Sequence, residues 1–244
     1  VKLSMSRHDI VVIGYDDDAQ VALVVDNDRE DIQQVHYDAL ARARSSTSFP
    51  QPTRHTMYDI TWPTELPDLA SAAAGAFAQS ARSMNEPATA AGIFDDLHPA
   101  PGDAAGGLRG TQEEVHSAGV AAATAFAEDI AGWMQHDDEQ LELMLFSLGA
   151  FIEKAGTAGG LFRRLLEQGA SEIAQMTGDE ATAALARSAS ATANAWTSVA
   201  KAATARERSA HERVRDAAKA ASALPELEFT LTERLRGASE ALRG

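Results

Sequence analysis

Two apolar runs rich in β-branched residues, Ile10-Val11-Val12-Ile13-Gly14-Tyr15 and Val21-Ala22-Leu23-Val24-Val25, stand either side of Asp16-Asp17-Asp18. Branched side chains suit a pleated surface, and a short acidic turn separates the two runs, so the spacing predicts a β-hairpin. Neither run alternates polar with apolar residues, which predicts strands covered on both faces. A hairpin alone is marginal in water, so these strands call for a larger sheet, and the rest of the sequence does not supply it.

Downstream, the periodicity is helical. Ile32 to Arg44 has a helical pattern, and Ser45 to Pro67 is loop-rich, with Pro50, Pro52, Pro63 and Pro67 and a short strand expected near Met57–Trp62. Leu66 to Met84 reads as an alanine-rich helix, followed by a Pro/Gly segment from Pro87 to Gly110. Thr111 and Glu114 have capping-box spacing and open a helix to about Gln135. Leu141, Leu145, Leu148 and Ile152 form a stripe that predicts an amphipathic helix over 139–155. Gly156-Thr157-Ala158-Gly159-Gly160 breaks it, and a further helix runs from Leu161 to Thr177, closed by Gly178 in a left-handed conformation. Residues 179–223 are mainly Ala, Thr, Ser and Arg, with Trp196 and Val199 as larger anchors. Pro225 suits the first turn of a last helix through Leu242. The predicted fold class is α+β, predominantly α: a small antiparallel sheet over residues 1–62 packed on a helical domain over 63–244.

The chain has no cysteine, which excludes disulfides, thiolate metal sites and a thiol nucleophile within these 244 residues. No secretory leader pattern opens it, and no apolar run approaches about 18 residues, so a cytoplasmic location is expected, with no membrane contact. The net charge is -15, and residues 61–180 carry 5 basic against 19 acidic side chains. That acidity repels a phosphate backbone and argues against nucleic-acid binding.

Two segments carry a resemblance. Ser6-Arg7-His8-Asp9-Ile10-Val11-Val12-Ile13-Gly14-Tyr15-Asp16, followed by Val24-Val25-Asp26, is similar to the stretch from active-site histidine to acid in the butirosin biosynthesis protein H family. Ile152-Glu153-Lys154-Ala155-Gly156-Thr157-Ala158-Gly159-Gly160-Leu161-Phe162-Arg163 resembles the glycine-rich helix break in that family's C-terminal region, with Ala158 where the family tends to have another glycine. The order and separation of the two segments also fit. The resemblance implies a papain-like acyltransferase sheet joined to a helical domain. A cysteine takes an aminoacyl group from the phosphopantetheine arm of an acyl carrier protein and passes it to an amine acceptor. His8 is then the general base and Asp26 its orienting acid. Phosphopantetheine belongs to the donor substrate, and no cofactor of the protein's own is expected. The family's cysteine lies well upstream of its histidine, so either a cysteine-bearing segment completes the site or catalysis has been lost.

The residues can be weighed on their own. If Asp16-Asp17-Asp18 is a three-residue loop, Tyr15 pairs with Ala19, and the same register sets His8 opposite Asp26 on one face. A carboxylate holding one imidazole nitrogen leaves the other free to take a proton. The bland alternative is that both residues merely end their strands. The glycine-rich break offers a second candidate: amides around Gly159 and Gly160 at the start of a helix, with Arg163 one turn in, suit an anion. Its alternative is a helix–helix turn with Arg163 in a structural ion pair. No metal site is expected, because His136-Asp137-Asp138-Glu139 point in different directions and the other histidines are isolated. Trp62, Trp133, Trp196, Phe146 and Phe151 read as core anchors. Arg206, Arg208, Arg213 and Arg215, interleaved with acids, read as a salt-bridged helix face. The competing function class is a non-enzymatic helical interaction protein that forms a homodimer or completes a partner's sheet.

Overall fold

A computed structural model describes residues 9–26, 29–47, 53–58, 60–61, 63–85, 119–154 and 157–244. His8, Trp62, the Pro/Gly segment and the Thr111–Glu114 cap lie outside the described residues. The chain divides into two compact units, Val1–Glu65 and Leu66–Gly244. The fold class is α+β and predominantly α, with its sheet at the N-terminus.

In the first unit, β1 (Val11–Asp16), β2 (Val21–Val25) and β3 (Gln33–His36) form an antiparallel sheet in the order β1-β2-β3, and α1 (Tyr37–Arg44) follows directly. The hairpin is present, and a third strand is added. Gln33–His36 is strand where the pattern predicted helix: β2 gains a second ladder, with Val21 opposite His36 and Val24 opposite Gln33, and sheet pairing overrides a weak local preference. Among the described residues no strand forms near Met57. Instead the Thr53 hydroxyl donates to the Arg44 and Ser46 carbonyls beyond the end of α1. The central strand is covered, with Val21, Ala22 and Val24 buried. The prediction of coverage on both faces fails for β1, where Val11 is 58% exposed and Tyr15 64%.

The second unit contains α2 (Leu69–Ser83), α3 (Gly119–Asp129), α4 (Asp138–Glu153), α5 (Arg163–Thr177), α6 (Glu180–Thr204), α7 (Ala210–Ala221) and α8 (Leu224–Ala241). Local chemistry sets the ends. Asp68, Asp137 and Asp179 each accept a backbone N–H from the first turn of α2, α4 and α6, while Ser209 and Glu212 close a capping box on α7. Gly178 is left-handed at φ 71° and ends α5, and Pro225 sits in the first turn of α8, both as the sequence predicts. Beyond α3 the chain tightens into a 3-10 helix, Ile130–Gln135, rather than continuing as α-helix. There the Trp133 ring meets Phe126 edge-on, and its N–H reaches Asp129 at 3.2 Å.

The long helix α6 organises the packing. Leu185, Ala189, Thr192, Trp196, Val199 and Ala203 are buried at steps of three and four. They enter three apolar clusters in turn: Leu185 and Ala189 with Phe77, Leu231 and Leu235; Trp196 and Val199 with Ile130, Ile152 and Leu224; Ala203 with Leu141, Leu145 and Val214. Small residues along α6 let neighbouring backbones approach closely. Gly160 illustrates this, since a Cβ there would lie 2.8 Å from the Ala193 Cα.

Candidate functional site

The first candidate lies at the open end of the hairpin. Its turn is longer than the three residues predicted: Asp16 pairs with Val21 and Tyr15 with Ala22, so residues 17–20 form the loop. The Asp16 side chain accepts the Ala19 N–H at 2.9 Å, and Gln20 takes the left-handed conformation at φ 56° to re-enter the sheet. An irregularity between Val12 and Gly14 then shifts the ladder to Val12 opposite Val24 and Val11 opposite Val25. Carried one step on, this register sets position 10, not 8, opposite Asp26. The predicted pairing of Tyr15 with Ala19 is therefore corrected. Asp26 is half-buried, and its carbonyl accepts the Arg29 N–H at 3.1 Å as the chain turns away from β2. His8 lies outside the described residues, so its distance from Asp26 is not part of this geometry.

The loop is held from α1. Tyr37 Oη donates to Asp17 Oδ1 at 2.8 Å, and the Tyr37 ring meets Tyr15 edge-on. Loss of solvation, followed by that hydrogen bond to a carboxylate, pushes the Tyr37 phenol from 10.0 up to about 12. The folded state thus favours the neutral phenol. Its contribution is complete below the unfolded value of 10.0 and is lost as pH rises through about 12. Tyrosinate absorbance should show one late-titrating phenol, absent from Tyr37→Phe; a titration unchanged by that substitution would contradict the assignment.

The second candidate is the break between α4 and α5. From Ala158 to Phe162 five successive residues have positive φ (52°, 86°, 54°, 49° and 70°), so a left-handed turn takes the place of a capped helix start. L-residues lose roughly 1–2 kcal/mol each in this conformation, and three of the five carry side chains. Internal bonds hold the turn. The Thr157 hydroxyl and the Leu161 N–H both donate to the Ile152 carbonyl, and the Phe162 N–H donates to the Thr157 carbonyl. The Gly160 N–H faces Glu153 Oε1 at 3.4 Å, an oxygen that also accepts the Thr197 hydroxyl at 2.7 Å.

This arrangement corrects the expectation that the amides around Gly159 and Gly160 open toward an anion. The Gly160, Leu161, Phe162 and Arg163 amides have partners inside the protein, and the Glu153 carboxylate stands beside Gly160. Arg163 points inward. Its Nη1 donates to the Leu161 carbonyl at 2.5 Å, and its Nη2 lies 2.9 Å from Glu228 Oε1, which also accepts the Trp196 indole N–H at 2.6 Å. Glu228 is fully buried, and its Oε2 has no hydrogen-bond partner among the described residues. Trp196 in turn stacks on Phe126 with ring centroids 5.5 Å apart. The turn, α6 and α8 are thereby tied at one buried carboxylate.

Sequence reasoning did not single out Glu228, although a signal was present. It occupies a place in the stripe Leu224, Glu228, Leu231, Leu235, where an acid stands among apolar residues at helical spacing. Phe146 and Phe151, expected in the core, are exposed at 46% and 55%. Of the arginine run, Arg208 bridges Glu212 and Asp216 as expected. Arg213 is instead buried, pairing with Glu142 of α4 and donating to the Ala203 carbonyl. Among the described residues no group of His, Asp and Glu is arranged to hold a metal ion.

A family model described as "Domain of unknown function (DUF4872)" matches residues 38–235, more than half of the chain. The chain belongs to that family. The match runs from α1 into α8, so it includes the left-handed turn and the Arg163–Glu228 pair and excludes the three strands. No curated protein and no solved structure matches the chain.

Proposed function

We propose that the chain takes part in acyl transfer during natural-product assembly, moving an aminoacyl group from a carrier-protein thioester to an amine, in the manner of the butirosin biosynthesis protein H family. The nucleophile is a cysteine outside these 244 residues. Its thiolate attacks the thioester carbonyl and releases the pantetheine thiol; the acceptor amine then attacks the new thioester and returns the cysteine. His8 takes the proton from the cysteine thiol and returns it to the departing pantetheine sulfur, then takes one from the attacking amine and returns it to the departing cysteine sulfur, while Asp26 orients its imidazole. The observation that supports this reading is β1. Among the described residues it pairs on one side only, and its apolar side chains are exposed, which is how a strand looks when it belongs inside a larger sheet. A strand from the cysteine-bearing segment supplies that neighbour. A cytoplasmic location goes with the reading, and among the described residues no helix is long and apolar enough to cross a membrane.

Intact-mass measurement of the complete polypeptide after incubation with an aminoacyl carrier protein is expected to show one acyl group on cysteine, lost in His8→Ala. A complete polypeptide without cysteine, or a His8→Ala variant that loads normally, would overturn the proposal. A second reading, a non-catalytic interaction protein that dimerises, is favoured by the exposed apolar side chains Leu143, Phe146 and Phe151 on α4. Sedimentation of the chain as a dimer that Phe146→Ser dissociates, together with no acyl loading, would favour it.

A further inference from the structure

The second unit is acidic overall, yet one of its clefts is lined by three arginines. The cleft lies between the last turns of α2 and α8 and holds about 260 Å³; Arg82, Arg236 and Arg243 line it over Ala81, with Glu240 as the one carboxylate among the lining groups. Arg236 is paired with Glu233 at 2.9 Å. Arg82 and Arg243 form no ion pair with any described residue. The last turns of both helices line the cleft, and further back the Ser239 hydroxyl holds α8 to the Ala74 carbonyl of α2 at 2.7 Å, so the negative ends of two helices border the cleft and favour nearby cations. That accounts for a cation at each helix end. It leaves Arg82 and Arg243, both exposed, without an ion pair among the described residues and lining one cleft.

We propose that this cleft binds a phosphate group, with Arg82 and Arg243 as its bidentate donors and Arg236 as a third positive charge. A guanidinium fork matches two phosphate oxygens, and a pair of forks matches the tetrahedral group from two sides. The volume lies below the roughly 300–1,000 Å³ of pockets that enclose a drug-sized ligand. The cleft therefore suits one phosphate or diphosphate, with the rest of any larger ligand outside. Free phosphate and the phosphate of a pantetheine arm offer the same group, so the site is independent of the acyl-transfer reading.

The test is titration of the folded chain with inorganic phosphate, pyrophosphate, pantetheine 4′-phosphate and unphosphorylated pantetheine, followed by calorimetry and by the arginine Nε–H resonances. Saturable binding of the phosphorylated probes alone is expected. Arg82→Ala and Arg243→Ala should each weaken it about tenfold or more, the loss of one charge-assisted contact. Tighter binding of pantetheine 4′-phosphate than of inorganic phosphate would identify the arm as the source, and equal binding would identify the free anion; both support the site. The proposal is overturned if no phosphate probe binds, or if affinity is the same in the Arg82→Ala/Arg243→Ala protein. It is also overturned if the two variants lose thermal stability while affinity is unchanged, which would assign both arginines to the helix ends alone.

Discussion

Arg163→Ala is expected to destabilise the helical unit by about 3–5 kcal/mol, the loss that follows when one partner of a buried ion pair is removed. For a domain of this size that is a fall of roughly 6–20 °C in the unfolding midpoint. The effect is large because Glu228 is wholly enclosed and has few donors. Its Oε1 is shared by Arg163 and the Trp196 indole, and its Oε2 has no partner among the described residues. Without the guanidinium a fully buried carboxylate would remain with the Trp196 indole as its one neutral donor among the described residues. The double variant Arg163→Met/Glu228→Gln should recover at least half of the loss, since the glutamine oxygen still accepts the indole N–H and no charge stays buried. Thermal unfolding of the two single variants and the double closes the cycle. A double variant no more stable than Arg163→Ala would show that the pair is not coupled.

Gly160→Ala is expected to cost about 2–4 kcal/mol, combining the left-handed penalty with overpacking. Gly160 has φ +54°, and an added Cβ would sit 2.8 Å from both Ala193 Cα and Cβ. Those atoms belong to the middle of α6 and cannot swing aside as the tip of a long side chain would. Gly169 provides the control. It is helical, with nothing within 4 Å of an added Cβ, so Gly169→Ala should stabilise by about 0.5–1 kcal/mol. Urea midpoints at constant slope read both changes. Equal midpoints for the two variants would contradict the close approach of the turn to α6.

Those two predictions rest on features of unequal visibility in the sequence. The helices were legible where the chain states its own pattern and punctuation: the stripe Leu141, Leu145 and Ile152, Gly178 after α5, and Pro225 at the start of α8. The third strand was not. Gln33-Gln34-Val35-His36 has little β-branched character and becomes strand because β2 presents a free ladder beside it. The hairpin was legible but its register was not, since the Asp16 side chain and left-handed Gln20 lengthen the loop by a residue and the shift before Gly14 moves the ladder again. At the helix break, the sequence marked where the helix stops, and Gly159 and Gly160 there adopt the left-handed conformation. Ala158, Leu161 and Phe162 adopt it too, imposed by hydrogen bonds to Ile152 and Thr157 that no local pattern announces. Arg163 was placed correctly in the chain, with both its alternatives in view. Only the fold brings Glu228, 65 residues on, to its guanidinium and decides between them.

Because α6 contributes side chains to each apolar cluster in turn, no cluster can come apart without stripping one stretch of that helix. Partial opening would have to fracture a 25-residue rod, so the inexpensive excursions are confined to the periphery. Deuterium should enter the middle of α6 only as fast as the whole bundle dissolves, and a protease will find no intermediate fragment there to release.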